Sequence, residues 1–185
     1  TAAAGQLNLG GAGFMAIGAY TAGYTNTELG FPLWLSIPSA AIVTGVIAFL
    51  VAFPILRTRG VYMILATFAF AEVVAGIVLN IEAVGGPIGM PITDYAGLEV
   101  LVPLTIFVTL FVIFLMSSRI GLLMRAIHDD EQVAILFGVN VRMIKVSCYM
   151  IAGLIAGVAG ALYSHQYNYV EIQYFNVLLS IYVLL

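Results

Sequence analysis

Carboxylate side chains are the groups in this sequence with the greatest capacity for chemistry. Glu72 stands near the middle of a long apolar run, where a carboxylate could line a transport pathway or carry a proton. An ionisable residue inside a membrane span is by default a functional candidate, so Glu72 is a candidate pathway residue. The alternative is a protonated or hydrogen-bonded glutamate that locks two helices together, and the sequence leaves both interpretations open.

A second group of carboxylates, Asp129, Asp130 and Glu131, precedes the apolar residues 133–137. Asp129 with Gln132 three residues later matches a capping box, and acids in a first turn suit the helix dipole. Gly138 is suited to end a helix. We therefore predict a two- to three-turn amphipathic helix over 129–138 whose apolar side needs a partner. It could lie on lipid, but three acids at its start favour docking onto another protein.

The sequence lacks the arrangements that bind metals, hydrolyse ATP or catalyse covalent reactions. It contains no Ser-His-Asp pairing, HExxH or P-loop pattern, and His128 and His165 fall on opposite sides of the predicted membrane. Cys148 is the single cysteine, which excludes an internal disulfide and a thiolate metal cluster. Six basic residues in two short loops make no stripe for phosphates. We expect no enzyme activity, no cofactor, no metal and no nucleic-acid partner.

The composition places these residues in a membrane. The chain is 63% hydrophobic and 8% charged, with a mean hydropathy of +1.12, whereas soluble domains carry about 25% charged residues. Apolar runs long enough to cross a bilayer cover 33–55, 61–82, 98–117 and 146–163, and another begins at residue 176. Residues 12–26 are weakly hydrophobic and form either a further span or a broken helix. The sequence predicts an all-α, polytopic transmembrane helical bundle of about five to six spans.

The basic residues give this bundle an orientation. Alternating spans put all six Lys and Arg residues on one side, in loops 57–59 and 118–145. Such a bias marks the cytoplasmic side, so we expect a multi-pass protein in the lipid bilayer of the cytoplasmic (inner) membrane. We expect one transmembrane domain over residues 1–185. Because the chain starts at Thr1 and its last apolar run has ten residues, we expect it to be truncated at both ends.

Small residues recur in the run near residue 153. Gly153 and Gly157 are four residues apart, and Gly160 lies beside them. Small residues let backbones approach closely inside membranes, where packing drives helix association. These glycines therefore serve either a subunit or gate interface or, as we expect, ordinary helix packing within the chain.

Several motifs together resemble the branched-chain amino-acid ABC transporter permeases. The resemblance covers nearly the whole chain, and the order and spacing of the motifs make it specific. The first half contributes the segments 5–10, 18–22, 57–62 and 66–72 and the Gly85-Gly86 pair with Gly89. The strongest match, 119–163, contains Arg125-Ala126-Ile127, Glu131, Ala134, Gly138-Val139-Asn140, Lys145 and the segment 156–163.

The resemblance implies a permease subunit of a binding-protein-dependent importer. Such a subunit pairs with a second permease subunit, is driven by two cytoplasmic ATPase subunits, and receives solute from an extracytoplasmic substrate-binding protein. The predicted helix in the 118–145 loop would be the coupling helix that docks on an ATPase. The implied coupling residues are Arg125, Asp129, Asp130, Glu131, Ala134 and Gly138. The pathway candidates are Glu72 and, in the Gly-rich first segment, Gly18, Tyr20 and Thr21.

The sequence departs from the family pattern at three positions. Gly11 stands where many relatives have a polar residue, His128 stands where Arg is common, and Glu131 is one place off the loop pattern. The implied solute is a branched-chain amino acid, and urea, short amides or another small polar solute stay open. Two rival functions are an ion- or proton-coupled secondary transporter that uses Glu72, and a structural membrane scaffold.

Overall fold

The structure is an all-α helical bundle, as the sequence predicts. The computed structural model describes residues 9–58 and 60–184, so most of the opening motif and Arg59 lie outside the described residues. Within that part of the chain, α1 to α8 cover Gly11–Thr27, Leu33–Ile55, Val61–Asn80, Leu98–Ser117, Arg119–Asp129, Glu131–Leu136, Val141–Tyr167 and Val177–Leu184. Four of them, α2, α3, α4 and α7, are long and apolar enough to cross a membrane. The protein is therefore a multi-pass membrane protein.

Helix boundaries follow the predicted spans except at the end of α3, which is shorter, and at both ends of α7, which is longer. The bounds of α2 and α4 are those predicted, while α3 ends at Asn80 because Ile81 is extended. The prediction of 146–163 for the next span was too short. Asn140 caps α7 by accepting a hydrogen bond from the Met143 amide, and Asn168 ends the helix in the left-handed conformation. The additional turns are polar at both ends, so hydropathy alone did not include them.

Contacts between the loops define two ends of the bundle. We name as the basic end the one that carries Arg57, Arg119, Arg125, Arg142 and Lys145. There the Arg142 guanidinium carbon lies 5.7 Å from the centre of the Phe53 ring, which joins the start of α7 to the end of α2. At the opposite end, strands β1 (Met90–Pro91) and β2 (Tyr169–Val170) form an antiparallel pair. The structure thus brings the loops together in the two groups that alternating spans require.

Helix α1 is unbroken, but its described part begins beside the middle of α3. A Cβ atom on Gly13 would lie 3.0 Å from the Cα of Ala71. The amide of Ala12 donates to the Ser180 hydroxyl at 2.9 Å, and the amide of Leu9 donates to the Thr67 hydroxyl at 3.1 Å. These hydroxyls satisfy backbone groups that have no partner at a helix start. Seventeen residues extend about 25 Å, less than a full hydrocarbon core of about 30 Å.

Glycines bring α1, α2 and α7 into backbone contact. A Cβ on Gly18 would lie 2.6 Å from the Cα of Gly157, and a Cβ on Gly153 would meet the side chain of Ala48 on α2. A Cβ on Gly160 would clash with the Met15 carbonyl oxygen. The glycine stripe of α7 therefore packs against helices of the same chain, the simpler of the two interpretations of its sequence.

A buried polar network closes the opposite end of the bundle. The fully buried His165 on α7 places Nδ1 2.9 Å from the Asp94 carbonyl oxygen and Nε2 3.1 Å from the Ser36 hydroxyl of α2. Because a carbonyl only accepts, Nδ1 carries the proton. Asn26 of α1 donates from Nδ2 to the Asp94 carboxylate at 2.8 Å and accepts from Thr93. The loop between α3 and α4 is thereby tied to α1 and α7 directly, and to α2 through His165.

We expect His165→Leu to lower stability by about 1–3 kcal/mol, because it leaves the Asp94 carbonyl without its donor in a buried site. Thermal melting of the purified protein measures this. His128→Leu is the matched control, since His128 is exposed at the basic end. Equal melting temperatures for both variants would show that the network adds no stability.

Candidate functional site

The segment between α4 and α7 contains two helices at the basic end. The prediction of a single helix there was wrong, because it did not include α5. Gly121, Met124 and Ile127 form the buried side of α5 at helical spacing, and this spacing was the available signal. Gly121 permits the sharp turn after α4, because a Cβ there would clash with the backbone of Met116.

Helix α6 is shorter than predicted, and its N-cap lies one residue later. It covers Glu131–Leu136, whereas Asp129 is the last residue of α5. Asp130 has an extended backbone, and its side chain accepts from the amides of Gln132 at 2.8 Å and Val133 at 3.1 Å. Asp130 is therefore the N-cap. The capping box centred on Asp129 and the length of two to three turns were wrong, because the extended Asp130 divides the segment into two helices.

Gly138 ends α6 as predicted. Its φ is +78°, a left-handed conformation that favours glycine. The Gly138 amide donates to the Ile135 carbonyl at 2.9 Å, and the Val139 amide donates to the Ala134 carbonyl at 3.2 Å. This pair of bonds is a Schellman motif. It turns the chain back within a few residues, so that α7 begins at Val141.

The α6 tip, Leu136 and Phe137, is the most exposed apolar feature of this region. Leu136 is 85% exposed and Phe137 is 82% exposed, while Ala134 is buried against Ile127 and Val141. Ala134 thus anchors α6 to its neighbours, and the tip points away from them. A compact apolar tip on a short, well-capped helix is suited to insert into a pocket of another protein.

The charged residues around α6 differ in what they contact. Glu131 forms an ion pair with Lys145 of α7, with Nζ and Oε2 2.8 Å apart. Asp130 is engaged as the N-cap. Arg125 and Asp129 are exposed, so among the predicted coupling residues these two have side chains free to meet a partner.

Glu72 is exposed on the side of α3 that faces away from the chain's own core. Ala69 and Asn80 are exposed on the same side, and Gly76 between them leaves open space around its Cα. Within residues 9–58 and 60–184, no hydrogen bond or ion pair reaches the Glu72 side chain. The described helices therefore form no lock through Glu72, and a pathway role stays a prediction.

The other predicted pathway residues do not share that surface. Gly18 is in backbone contact with Gly157. Tyr20 is buried in a cluster with Val74 and Ile172, and Thr21 is half-buried. Packing within the chain accounts for Gly18 and Tyr20, and their role in transport also stays a prediction.

Helix α4, unlike α1, has no side buried against the rest of the chain. None of its residues is buried, although it carries the apolar run predicted as a span. Its surface is therefore available to lipid or to another membrane subunit.

Comparisons with known proteins agree with the membrane architecture. A family model described as "Branched-chain amino acid transport system / permease component" matches residues 1–185. The chain is 31% identical to the proteins named "High-affinity branched-chain amino acid transport system permease protein LivM" of Escherichia coli (strain K12) and of Salmonella typhimurium (strain LT2). Each match covers 97% of this chain and 51% of the relative, so the chain spans about half their length. No solved structure matches.

Proposed function

Because the chain belongs to the family of branched-chain amino-acid transport permeases, we propose that it is part of the translocating subunit of an ATP-binding-cassette importer for amino acids. Both relatives are named for the transport of branched-chain amino acids, which supports that solute class. ATP hydrolysis would take place on separate partner subunits. The observation that carries this proposal is the exposed α6 tip on a helix anchored to α7.

The α6 tip is the proposed point of contact with an ATPase subunit. The basic end would face the cytoplasm, in accord with the concentration of Lys and Arg there. Leu136 and Phe137 would fill an apolar pocket, with Arg125 and Asp129 at its exposed rim. Two ATPase subunits would serve a pair of permeases, so that closure of the ATPases is transmitted to both.

The opposite end is the proposed entry side. The loop tied down by His165 and Asn26 would face the extracytoplasmic space and the substrate-binding protein. The unburied α4 would face lipid or the second permease subunit. Solute would pass by alternating access, with Glu72 on the proposed pathway side of α3.

We expect Phe137→Cys, in a Cys148→Ala background, to crosslink to an ATPase subunit in membranes that contain the full-length transporter. Cys148 is buried and behaves as a small apolar residue, so alanine is a mild replacement. The crosslinking yield should change when ATP is added, because coupling requires the contact to move. Ile88→Cys is the control, since Ile88 is equally exposed at the opposite end.

Two results would contradict this proposal. Labelling of Phe137→Cys by lipid-soluble reagents alone would show that α6 lies on the bilayer. Accumulation of solute that continues without any ATPase and depends on a proton gradient would favour the secondary transporter, with Glu72 as its proton site.

A further inference from the structure

The short helix α6 needs an external anchor to present its tip at a defined angle. It has six residues, and isolated helices shorter than about 12 residues are marginal in water. Its apolar anchor is the single small residue Ala134, which packs against Ile127 and Val141. One methyl group restrains the rotation of a helix weakly, so further contacts must set the direction of the tip.

The ion pair between Glu131 and Lys145 is the contact best placed to supply that restraint. Glu131 is the first residue of α6, so the pair holds the end of the helix remote from the tip. The Lys145 side chain is 17% exposed and the Glu131 side chain is 41% exposed, so the pair is partly shielded from water. A partly shielded ion pair with one short contact is more directional than a fully solvated one.

Lys145 also connects α6 to the membrane part of the fold. It lies in the second turn of α7, a continuous helix of 27 residues that extends about 40 Å to the opposite end. Between Glu131 and Lys145 the chain reverses through the turn at Gly138, and the ion pair closes this hairpin at its open side. The first residue of α6 is therefore tied to the helix that packs against α1 and α2.

We propose that Glu131 and Lys145 are positioning residues whose ion pair holds α6 at a fixed angle to α7, so that a load on the α6 tip moves α7. This inference rests on the proposed function, since it assumes that the tip meets an ATPase subunit. It differs from a direct role for Glu131 at the ATPase surface, because the carboxylate is engaged within its own chain. The pair acts through Leu136 and Phe137 and itself touches neither solute nor nucleotide.

Charge reversal and charge exchange in the complete transporter test the proposal. Glu131→Lys and Lys145→Glu each place like charges together, and we expect each to lower uptake by about fivefold or more. The double variant restores opposite charges in exchanged positions, and we expect uptake within about twofold of wild type. Lys145→Arg keeps the pair and should retain uptake. Arg119→Gln is the control, because it removes an exposed positive charge from the same end of the bundle and leaves the pair intact.

Hydrogen exchange of the amides in 131–137 provides a readout that does not depend on the ATPase. We expect faster exchange in each single reversal and wild-type exchange in the double variant, since the ion pair restrains α6 itself. The amount of solute taken up per ATP hydrolysed should fall in the single reversals. An unrestrained α6 would transmit less of the ATPase closure to α7.

Three outcomes would overturn the inference. They are wild-type exchange and uptake in both single reversals, a double variant no better than the singles, or loss of uptake in Glu131→Gln without a change in exchange. The last outcome would place Glu131 in direct contact with a partner. Failure of the proposed function can be distinguished from failure of this inference. If the proposed function is wrong, Phe137→Cys does not crosslink to an ATPase subunit even when Glu131 and Lys145 are unchanged. The hydrogen-exchange result does not depend on that crosslink.

Discussion

Gly160→Ala is expected to destabilise the protein by about 3 kcal/mol, at the upper end of the range for overpacked sites. The added methyl group would clash with the Met15 carbonyl oxygen and lie 2.9 Å from the Ala19 amide nitrogen. Both obstacles are backbone atoms of α1, so no side chain can move aside to accept the methyl group. The helices must separate, and the contacts between α1 and α7 are lost along their length.

Gly76→Ala is the matched control for this prediction. It makes the same chemical change in another membrane helix, where the new Cβ meets no atom within 4 Å. Because alanine favours helices over glycine by up to about 1 kcal/mol, this variant should melt at or slightly above the wild-type temperature. The measurement is thermal melting in detergent together with the yield of folded protein. Equal melting of the two variants would mean that α1 and α7 are not packed as closely as the structure has them.

The membrane helices were the most predictable part of this fold. Leu33–Ile55 and Leu98–Ser117 carry long, mainly apolar runs, and the hydrophobic thickness of a bilayer selects their length. The division of 118–145 was less predictable. A single extended residue, Asp130, separates α5 from α6, and Asp129 and Asp130 are both of the residue type that favours the N-cap position.

The polar contacts of the candidate site could not be read from the sequence. Glu131 looks there like one of three acids that favour a helix start, whereas in the structure it pairs with Lys145 across a turn. His165 and Ser36 are 129 residues apart, and no local pattern joins them. Such pairs depend on how helices pack in three dimensions, which periodicity and propensity do not specify.

Helix α7 is the element that joins the two ends of the bundle. Lys145 binds α6 near its start, Gly157 contacts α1 and α2 in its middle, and His165 binds the opposite-end loop near its finish. Close packing makes such a helix move as a unit, because interiors have few voids to absorb a local shift. A displacement at the α6 tip would therefore shift both the glycine contacts and the loop at the opposite end.

Glu72→Gln is expected to lower uptake by at least about tenfold while leaving the melting temperature unchanged. No hydrogen bond or ion pair joins the exposed Glu72 side chain to the described residues, so the substitution removes neither. A charged group at mid-span costs about 2.5–3.5 kcal/mol on insertion scales, and a neutral amide should therefore insert at least as well. A carboxylate at mid-span, on a side of α3 that has open space at Gly76, is therefore a candidate to line the proposed pathway.

Comparison of Glu72→Gln with Glu72→Asp and Glu82→Gln separates the remaining explanations. Glu82→Gln removes a carboxylate from the exposed turn just after α3 and should leave uptake unchanged. Partial uptake in Glu72→Asp would show that the negative charge itself is required. Wild-type uptake in Glu72→Gln would exclude Glu72 from the pathway. A carboxylate that binds the solute or carries a proton should change uptake when it loses its charge. A lower melting temperature with normal uptake would instead identify Glu72 as a lock against another membrane subunit.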